Sequence, residues 1–310
     1  MKNIAIIGAG QLGSRHLQAL AKVNEEVVLY IVDPIEMSLE ISKERFNKVN
    51  TLGKNLMCLN HTTDLPKELE FVVVSTNSKQ RLTVLQELLN HAQVKYLLLE
   101  KFLFPTIQEY EQATRILETK DTSVYVNCAR TMWPAYQKLK IKMEKSSSIT
   151  YEVVGVNWNL ASNAIHFLNL FLYLLNESEV TIDTSMLDYE PLKSKREGYI
   201  EFSGTLTAVT PSQHKLILTS NLVGDSSTMI RIKSDTQVIE INELNQIISI
   251  NGDKETFNMH HQSNLTNQVY EQLIKTGNCS LVTYQQSAKE HIMLLHAFQE
   301  FLGDRNGAIT

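Results

Sequence analysis

Glycine and proline are both scarce in this chain, at 12 and 6 of its 310 residues, against averages of roughly 7% and 5%. Collagen-like, low-complexity and largely disordered chains are thereby excluded, and most residues are expected in regular helix or strand. Cysteine is rarer still. Cys58, Cys128 and Cys279 lie far apart with no C-x-x-C pair. That points to a reducing, cytoplasmic compartment and away from a disulfide framework or zinc knuckle. Basic blocks are missing as well: 29 Lys and Arg against 34 Asp and Glu give a net charge of −5, so nucleic acid is not an expected partner. The longest greasy stretch, Ile165 to Leu175, is interrupted by His166 and Asn169 and falls short of the roughly 18 apolar residues of a membrane helix. No membrane partner is expected. The opening run Ile4 to Ile7 meets Gln11, Arg15 and His16 at once, unlike a secretory signal. What remains is a chain long enough for two domains, with a core large enough to need no staple.

Against that scarcity, Gly8, Gly10 and Gly13 fall within six residues. Their surroundings follow a clear rhythm. Asn3 to Gly8, Val27 to Val32, Phe71 to Ser75, Tyr96 to Leu99 and Val124 to Asn127 are short apolar runs that predict buried strands. Between them Gly13 to Val23, Pro34 to Phe46 and Lys79 to His91 repeat apolar residues at helical spacing. A fourth helix is predicted from the capping box Thr106 to Glu109 onward to about Leu117. Strands apolar throughout and alternating with helices predict a doubly wound parallel sheet covered on both faces.

After Pro134 the rhythm changes. Ile149 to Trp158 partly alternates, Ser162 to Leu175 is helical, and Gly198 to Ile250 reads as successive strands. Pro211-Ser212, Gly224-Asp225 and Ser234-Asp235 mark turns, and Asn251-Gly252 is a hairpin signal. Two helices close the chain, near Leu265 to Thr276 and Tyr284 to Phe301. The expected organisation is an α/β domain over residues 1–125, then an α+β domain over 126–310 with a large, mostly antiparallel open sheet.

Gly8-Ala9-Gly10-Gln11-Leu12-Gly13 has the spacing G-x-G-x-x-G between a strand and a helix. There the first glycine permits a tight turn, the second lets a pyrophosphate reach the backbone, and the third lets helix and strand pack closely. Free amides and the helix dipole then hold the phosphates. Asp33 ends the second strand twenty residues beyond Gly13, where a carboxylate can accept both ribose hydroxyls and repel a 2′-phosphate. The cofactor expected is NAD rather than NADP. The plainer alternative is a tight turn with an aspartate capping the next helix.

Four further segments, with this loop, resemble the family of glucose–fructose oxidoreductase, inositol dehydrogenase and their relatives (Gfo/Idh/MocA). The resemblance implies an NAD(P)-binding Rossmann domain, a second domain whose sheet forms subunit interfaces, and sugars, sugar derivatives or cyclitols as substrates. Val74-Ser75-Thr76-Asn77-Ser78 looks like the family's loop at the nicotinamide side, which implies cofactor contacts from Ser75, Thr76 and Asn77. Leu99-Glu100-Lys101-Phe102 stands where the family has Glu-Lys-Pro. Glu100 and Lys101 would then flank the cofactor, and Lys101 would also reach the reacting hydroxyl, with Phe102 in place of the proline. A strand-end lysine in a buried neighbourhood can have its pKa lowered into a useful range. Asn127-Cys128-Ala129-Arg130 resembles the crossover whose arginine faces substrate.

Ser162-Asn163-Ala164-Ile165-His166-Phe167-Leu168-Asn169 resembles the family helix Asp-x-x-x-His-x-x-Asp. The histidine is kept as His166, implied to be catalytic. Both acids are gone, replaced by Ser162 and Asn169. Neither can supply the charge that stabilises an imidazolium, so His166 should be a weaker base. Asn159, Ser162 and Asn163 join Arg130 and His166 as expected substrate contacts, with Trp158 in a pocket or core role.

His260-His261 is adjacent rather than spaced for one helical face, and no metal is expected. No G-x-S-x-G signature occurs. The leading reading is therefore an NAD-dependent oxidoreductase for a sugar-like substrate, assembled as a homodimer or homotetramer through the second sheet. Two others stay open: a catalytically weakened or inactive dinucleotide- or sugar-binding regulator, and an enzyme whose tightly held NAD supports net elimination or epimerisation.

Overall fold

The computed structural model describes residues 1–143, 146–195, 197–224 and 227–303. In chain order the first elements are β1 (Lys2–Ile7), α1 (Gln11–Leu20), β2 (Val27–Val32), α2 (Glu36–Asn47), β3 (Asn55–Leu59), β4 (Glu68–Val74), α3 (Ser78–His91), β5 (Gln93–Leu99), α4 (Ile107–Glu118) and β6 (Ser123–Val126). Then come α5 (Pro134–Met143), β7 (Ile149–Val156), α6 (Leu160–Leu175), β8 (Thr181–Leu187), β9 (Leu192–Lys193), β10 (Ile200–Glu201), β11 (Gly204–Val209), β12 (Lys215–Asn221), β13 (Met229–Ser234), β14 (Val238–Asn242), β15 (Ile247–Ile250) and β16 (Asp253–Thr256). The chain closes with α7 (Thr266–Thr276), β17 (Val282–Thr283) and α8 (Tyr284–Leu302).

It divides into two compact units. The first joins Met1–Asn127 to His260–Gln285. Its sheet runs β3-β2-β1-β4-β5-β6-β17 and is parallel except for β17, which pairs antiparallel to β6. The strand residues Ile4 to Ile7 and Phe71 to Val74 are buried on both faces, which is why their sequences do not alternate. The order reverses between β1 and β4, where Ile7 lies opposite Val74. That reversal is the switch point at which doubly wound sheets bind ligands, beyond the carboxyl ends of the strands. The capping box is present: the Thr106 side chain takes the Glu109 amide, and the Glu109 carboxylate takes the Thr106 amide.

Segment 260–285 belongs with this first unit, whereas a single cut at 125/126 puts it in the second. The reason is a buried polar network. The Glu100 carboxylate accepts from the Asn127 amide at 2.6 Å and lies 2.8 Å from His16 Nε2. His16 Nδ1 is 2.8 Å from the Thr266 hydroxyl, and Gln262 accepts from Asn127 at 2.7 Å while donating to Thr266 at 2.8 Å. Glu100 and His16 are 3% and 0% exposed. Burial pushes the Glu100 carboxyl upward, but hydrogen bonds from His16 and Asn127 and the charges of His16 and Arg81 more than reverse this, leaving it below its ordinary value.

The second unit comprises Cys128–Met259 and the residues from Gln286 onward. Its main sheet runs β16-β15-β14-β13-β7-β12-β11-β8 and is antiparallel except between β7 and β12. Tyr151, Val153, Leu216, Leu218, Ile230, Ile232, Ile239 and Ile241 alternate onto one buried face. Helix α6, apolar almost all round, lies on that face, with Phe171 edge-on to Tyr151 at 6.2 Å. Each such large apolar side chain contributes roughly 2 kcal/mol by leaving water. The Pro211-Ser212 turn and the Asn251-Gly252 hairpin are present, the latter joining β15 to β16 with positive φ at both residues. The predicted Gly224-Asp225 turn includes Asp225, which lies outside the described residues. No helix among the described residues is long and apolar enough to cross a membrane.

Leaving a buried polar group without its partner costs about 1–3 kcal/mol for each group, and Glu100 partners both His16 and Asn127, whereas losing an exposed helix cap costs about 1. Glu100→Ala is therefore expected to lower unfolding free energy several times more than Thr106→Ala. Denaturant titrations of the two variants would show it, and equal losses would contradict the network's role.

Candidate functional site

The glycine loop sits at the switch point, and its three glycines differ in what requires them. Gly8 has φ +98, and a Cβ there would come 2.9 Å from the Thr76 amide nitrogen. At Gly13 a Cβ would fall 1.8 Å from the Gly8 carbonyl oxygen. The protein's own packing thus demands both. At Gly10 nothing lies within 4 Å of the added carbon. Gly10 is the N-cap of α1, and the helix start has neither a side-chain cap nor an acidic residue in its first turn. Gln11 and Leu12 beside it are exposed. Amides and dipole are left facing an open cradle suited to an anion.

The neighbouring loops have their own local bonds. Asp33 is half-buried, and its oxygens accept from the Ala9 amide at 2.7 Å and the Ile35 amide at 2.9 Å. It shapes the glycine loop, and each oxygen keeps a second lone pair. Ser75 donates to the carbonyls of Gly8 and Ile7, at 2.8 and 3.2 Å, fixing β4 to β1. Asn77 caps α3 by accepting from the Gln80 amide at 3.1 Å. Thr76 is different: among the described residues its buried hydroxyl has no hydrogen-bond partner. A buried polar atom left unmatched is costly and needs an explanation. This orphan next to Gly8, with the open cradle at Gly10, fits a polar ligand such as a dinucleotide.

Arg81, 2% exposed, gives the site a brace that the sequence did not reveal. Its guanidinium donates to the carbonyls of Thr76, Phe102 and Leu103, and so ties the loop after β4 to the loop after β5. Lys101 lies in that second loop, half-buried ahead of the fully buried Phe102, Leu103 and Phe104, and its peptide bond to Phe102 is cis. Glu100, expected beside the cofactor, points its carboxylate into the buried network with His16 and Asn127 instead.

In the second unit a cavity of about 300 Å³ is lined by Arg130, Trp158, Asn163, His166, Phe167, Thr228 and Glu243. Three of the expected substrate residues, Arg130, Asn163 and His166, thus meet here, with Trp158. Asn159 and Ser162 lie outside the lining among the described residues. Asn159 starts α6 with a left-handed backbone, φ 60. The Ser162 hydroxyl bonds the Asn159 carbonyl at 3.4 Å, and the Ser162 amide donates to the buried carboxylate of Glu201 at 3.3 Å. Arg130 donates through Nε and Nη2 to the two oxygens of Glu243, at 2.7 and 2.6 Å. Tyr136 donates to the same carboxylate at 2.6 Å. Burial raises the Glu243 carboxyl, and the Arg130 charge with these bonds brings it below its ordinary value. Glu243 is 113 residues from Arg130, too far for any sequence spacing to pair them.

Asn169 is 3% exposed, and its amide donates at 2.9 Å to Glu290 on α8, itself 1% exposed. Burial pushes the Glu290 carboxyl up to about 7, against opposing bonds from Asn169 and Gln286.

The switch-point sheet and its uncapped helix start define a nucleotide-binding unit. Residues 2–128 match the family model described as "Oxidoreductase family, NAD-binding Rossmann fold" (GFO_IDH_MocA). By sequence alone no curated protein matches. Solved structures share the fold over nearly the whole chain. UDP-N-acetylglucosamine 3-dehydrogenase GnnA from Acidithiobacillus ferrooxidans is 14% identical, with 96% of each chain covered and a TM-score of 0.71. Scyllo-inositol dehydrogenase from Lactobacillus casei, solved with NAD(H) and scyllo-inositol, is 14% identical, with 97% of each chain covered and a TM-score of 0.68. Biliverdin reductase from Synechocystis sp. PCC 6803, solved with biliverdin and NADP+, is 12% identical, covering 96% of this chain and 98% of that one, with a TM-score of 0.72.

Two expectations follow. Gly13→Ala should prevent the native packing and lower the melting temperature sharply. Gly10→Ala should melt like wild type yet lose NADH binding in a fluorescence titration, and unchanged binding would contradict the cradle. Glu290 offers the second. Its folded pKa is raised, so its contribution is full below the ordinary Glu value of 4.5 and disappears as pH rises to about 7. That amounts to about 3 kcal/mol across the window. Glu290→Gln should flatten unfolding free energy between those pH values, and a parallel curve would refute the assignment.

Proposed function

We propose that this chain is an NAD-dependent oxidoreductase moving a hydride between nicotinamide and a hydroxyl-bearing carbon of a sugar-like substrate: a sugar, amino sugar, nucleotide sugar or cyclitol. The observation that carries the reading is Gly10, a glycine that no contact of the chain itself requires, set at the bare N-terminus of α1. Gly8, Gly10, Gln11, Leu12 and Gly13 would hold the pyrophosphate through backbone amides. Asp33 would take the ribose hydroxyls, and its charge disfavours a 2′-phosphate. Thr76 would satisfy its orphaned hydroxyl on the bound molecule, while Ser75 and Asn77 hold their loop. Cofactor groups then fall within residues 1–125 and substrate groups within 126–310.

When bound, the nicotinamide takes or supplies the hydride. The chain's part is orientation and proton movement. In oxidation Lys101 Nζ would take the hydroxyl proton, and in reduction it would return it. His166 assists as acid or base from the cavity wall, where Asn163 and Trp158 meet the ring. The dehydrogenases of similar fold act on a nucleotide amino sugar and a cyclitol, which supports this substrate class. The outward face of the second sheet carries Val154, Met229 and Val238, each about two-fifths exposed, and supports a homodimer or homotetramer through that face. Cys58, Cys128 and Cys279 form no disulfide, which accords with a cytoplasmic protein.

One observation favours the regulator as second reading. The cavity's carboxylate, Glu243, is engaged by Arg130, and both acids of the family helix are replaced, by Ser162 and Asn169. Turnover on a panel of sugars, nucleotide sugars and cyclitols decides between them. An enzyme should turn over at least one, and Lys101→Ala should lose about a hundredfold or more in kcat. NADH binding abolished by Asp33→Ala with no turnover on any member would instead establish the regulator.

A further inference from the structure

Arg130 is the arginine of the substrate cavity, yet its recognition edge is already occupied. Nε and Nη2 form the fork that would grip a carboxylate or phosphate bidentately, and both donate to Glu243. The pair is held from several sides. Tyr136 donates to the Glu243 carboxylate, the guanidinium lies 4.4 Å from the Phe167 ring centre and 5.8 Å from that of Trp133, and the two side chains are 18% and 16% exposed. An anion entering the cavity would have to break this fork or sit beside a second negative charge. An uncharged ring bearing hydroxyls meets neither obstacle. Its hydroxyls both donate and accept, so they can use the remaining Arg130 N–H groups, the spare lone pairs of Glu243, the Thr228 hydroxyl and the Asn163 amide. Trp158 and Phe167 offer apolar wall to its C–H faces.

We propose that Glu243 is the specificity-determining residue of this cavity: by occupying Arg130 it makes the site select uncharged polyhydroxylated rings over sugar acids. This rests on the reading of the substrate as sugar-like. Glu243 is assigned no proton transfer. Its role is to cancel the cation that would otherwise recruit acids.

The test is calorimetric binding to the full chain, using myo-inositol and D-glucose as neutral rings and D-glucuronate as the acid. Wild type should bind at least one neutral ring roughly tenfold or more tighter than glucuronate, the worth of one charge-assisted contact. Glu243→Gln frees Arg130 and should shift that ratio toward glucuronate by a similar factor. The double variant Arg130→Gln/Glu243→Gln has neither buried charge, so it stays testable if the single variant folds poorly. It should show no gain for glucuronate. Glucuronate binding to wild type as tightly as the best neutral ring would overturn the proposal. So would a Glu243→Gln ratio equal to that of wild type, or a double variant that gains the acid. If no ring of either kind binds while NADH still does, the sugar-like reading fails first and takes this inference with it.

Discussion

The contact on which most of the first unit depends is backbone against backbone. At the end of β1 the Gly8 carbonyl presses against the Cα of Gly13, and the loop after β4 presses against Gly8 from the other side. No side chain fits between these segments. Their closeness brings α1 down onto the sheet and leaves its first amides facing outward at the strand-order reversal. The anion-binding character of the site follows from this packing, because the helix start has no side-chain cap of its own. Ser75 reinforces the same junction by donating to the two carbonyls that end β1. A chain with only 12 glycines places three of them here because sterics leave no alternative at two, and an open cradle accounts for the third.

Around that junction the polar groups are arranged in pairs that hold loops rather than decorate them. Arg81 reaches three carbonyls in two loops, which fixes Thr76 and the backbone after Lys101 relative to each other. Glu100 stands one residue before Lys101 and anchors that loop inward through His16 and Asn127. The second unit repeats the device, with Glu243 joining Arg130 to Tyr136. Such pairs are expensive to bury and more expensive to break, so their position is well defined.

The alternating pattern of the first 125 residues and the strand succession from Gly198 to Ile250 were readable because both depend on local periodicity. So were the glycine loop and the capping box, whose chemistry lies within a few residues. Three kinds of feature were not. Strand β3 lies at the sheet edge, and its short apolar run Leu56 to Leu59 is exposed or half-buried, unlike the buried runs of its neighbours. The return of segment 260–285 to the first unit rests on Thr266 and Gln262 meeting His16 and Asn127, contacts made across more than 130 residues of sequence. Arg81 and Glu243 likewise owe their roles to partners distant in the chain or to backbone carbonyls, which no spacing rule identifies.

The helix around His166 shows how a lost acid can be misread from sequence alone. At Ser162 the carboxylate is absent from the helix, but Glu201 from β10 places a buried one on the Ser162 amide, where the helix dipole favours it. At Asn169 the side chain is turned to α8, and Glu290 supplies the carboxyl there. In both places an acid from another element satisfies the helix. Neither Glu201 nor Glu290 is among the described residues that line the cavity. The polar support of α6 at both positions is thus supplied from β10 and α8, away from the cavity. Among the described residues lining the cavity that leaves Glu243 as the carboxylate, and both of its oxygens are engaged by Arg130.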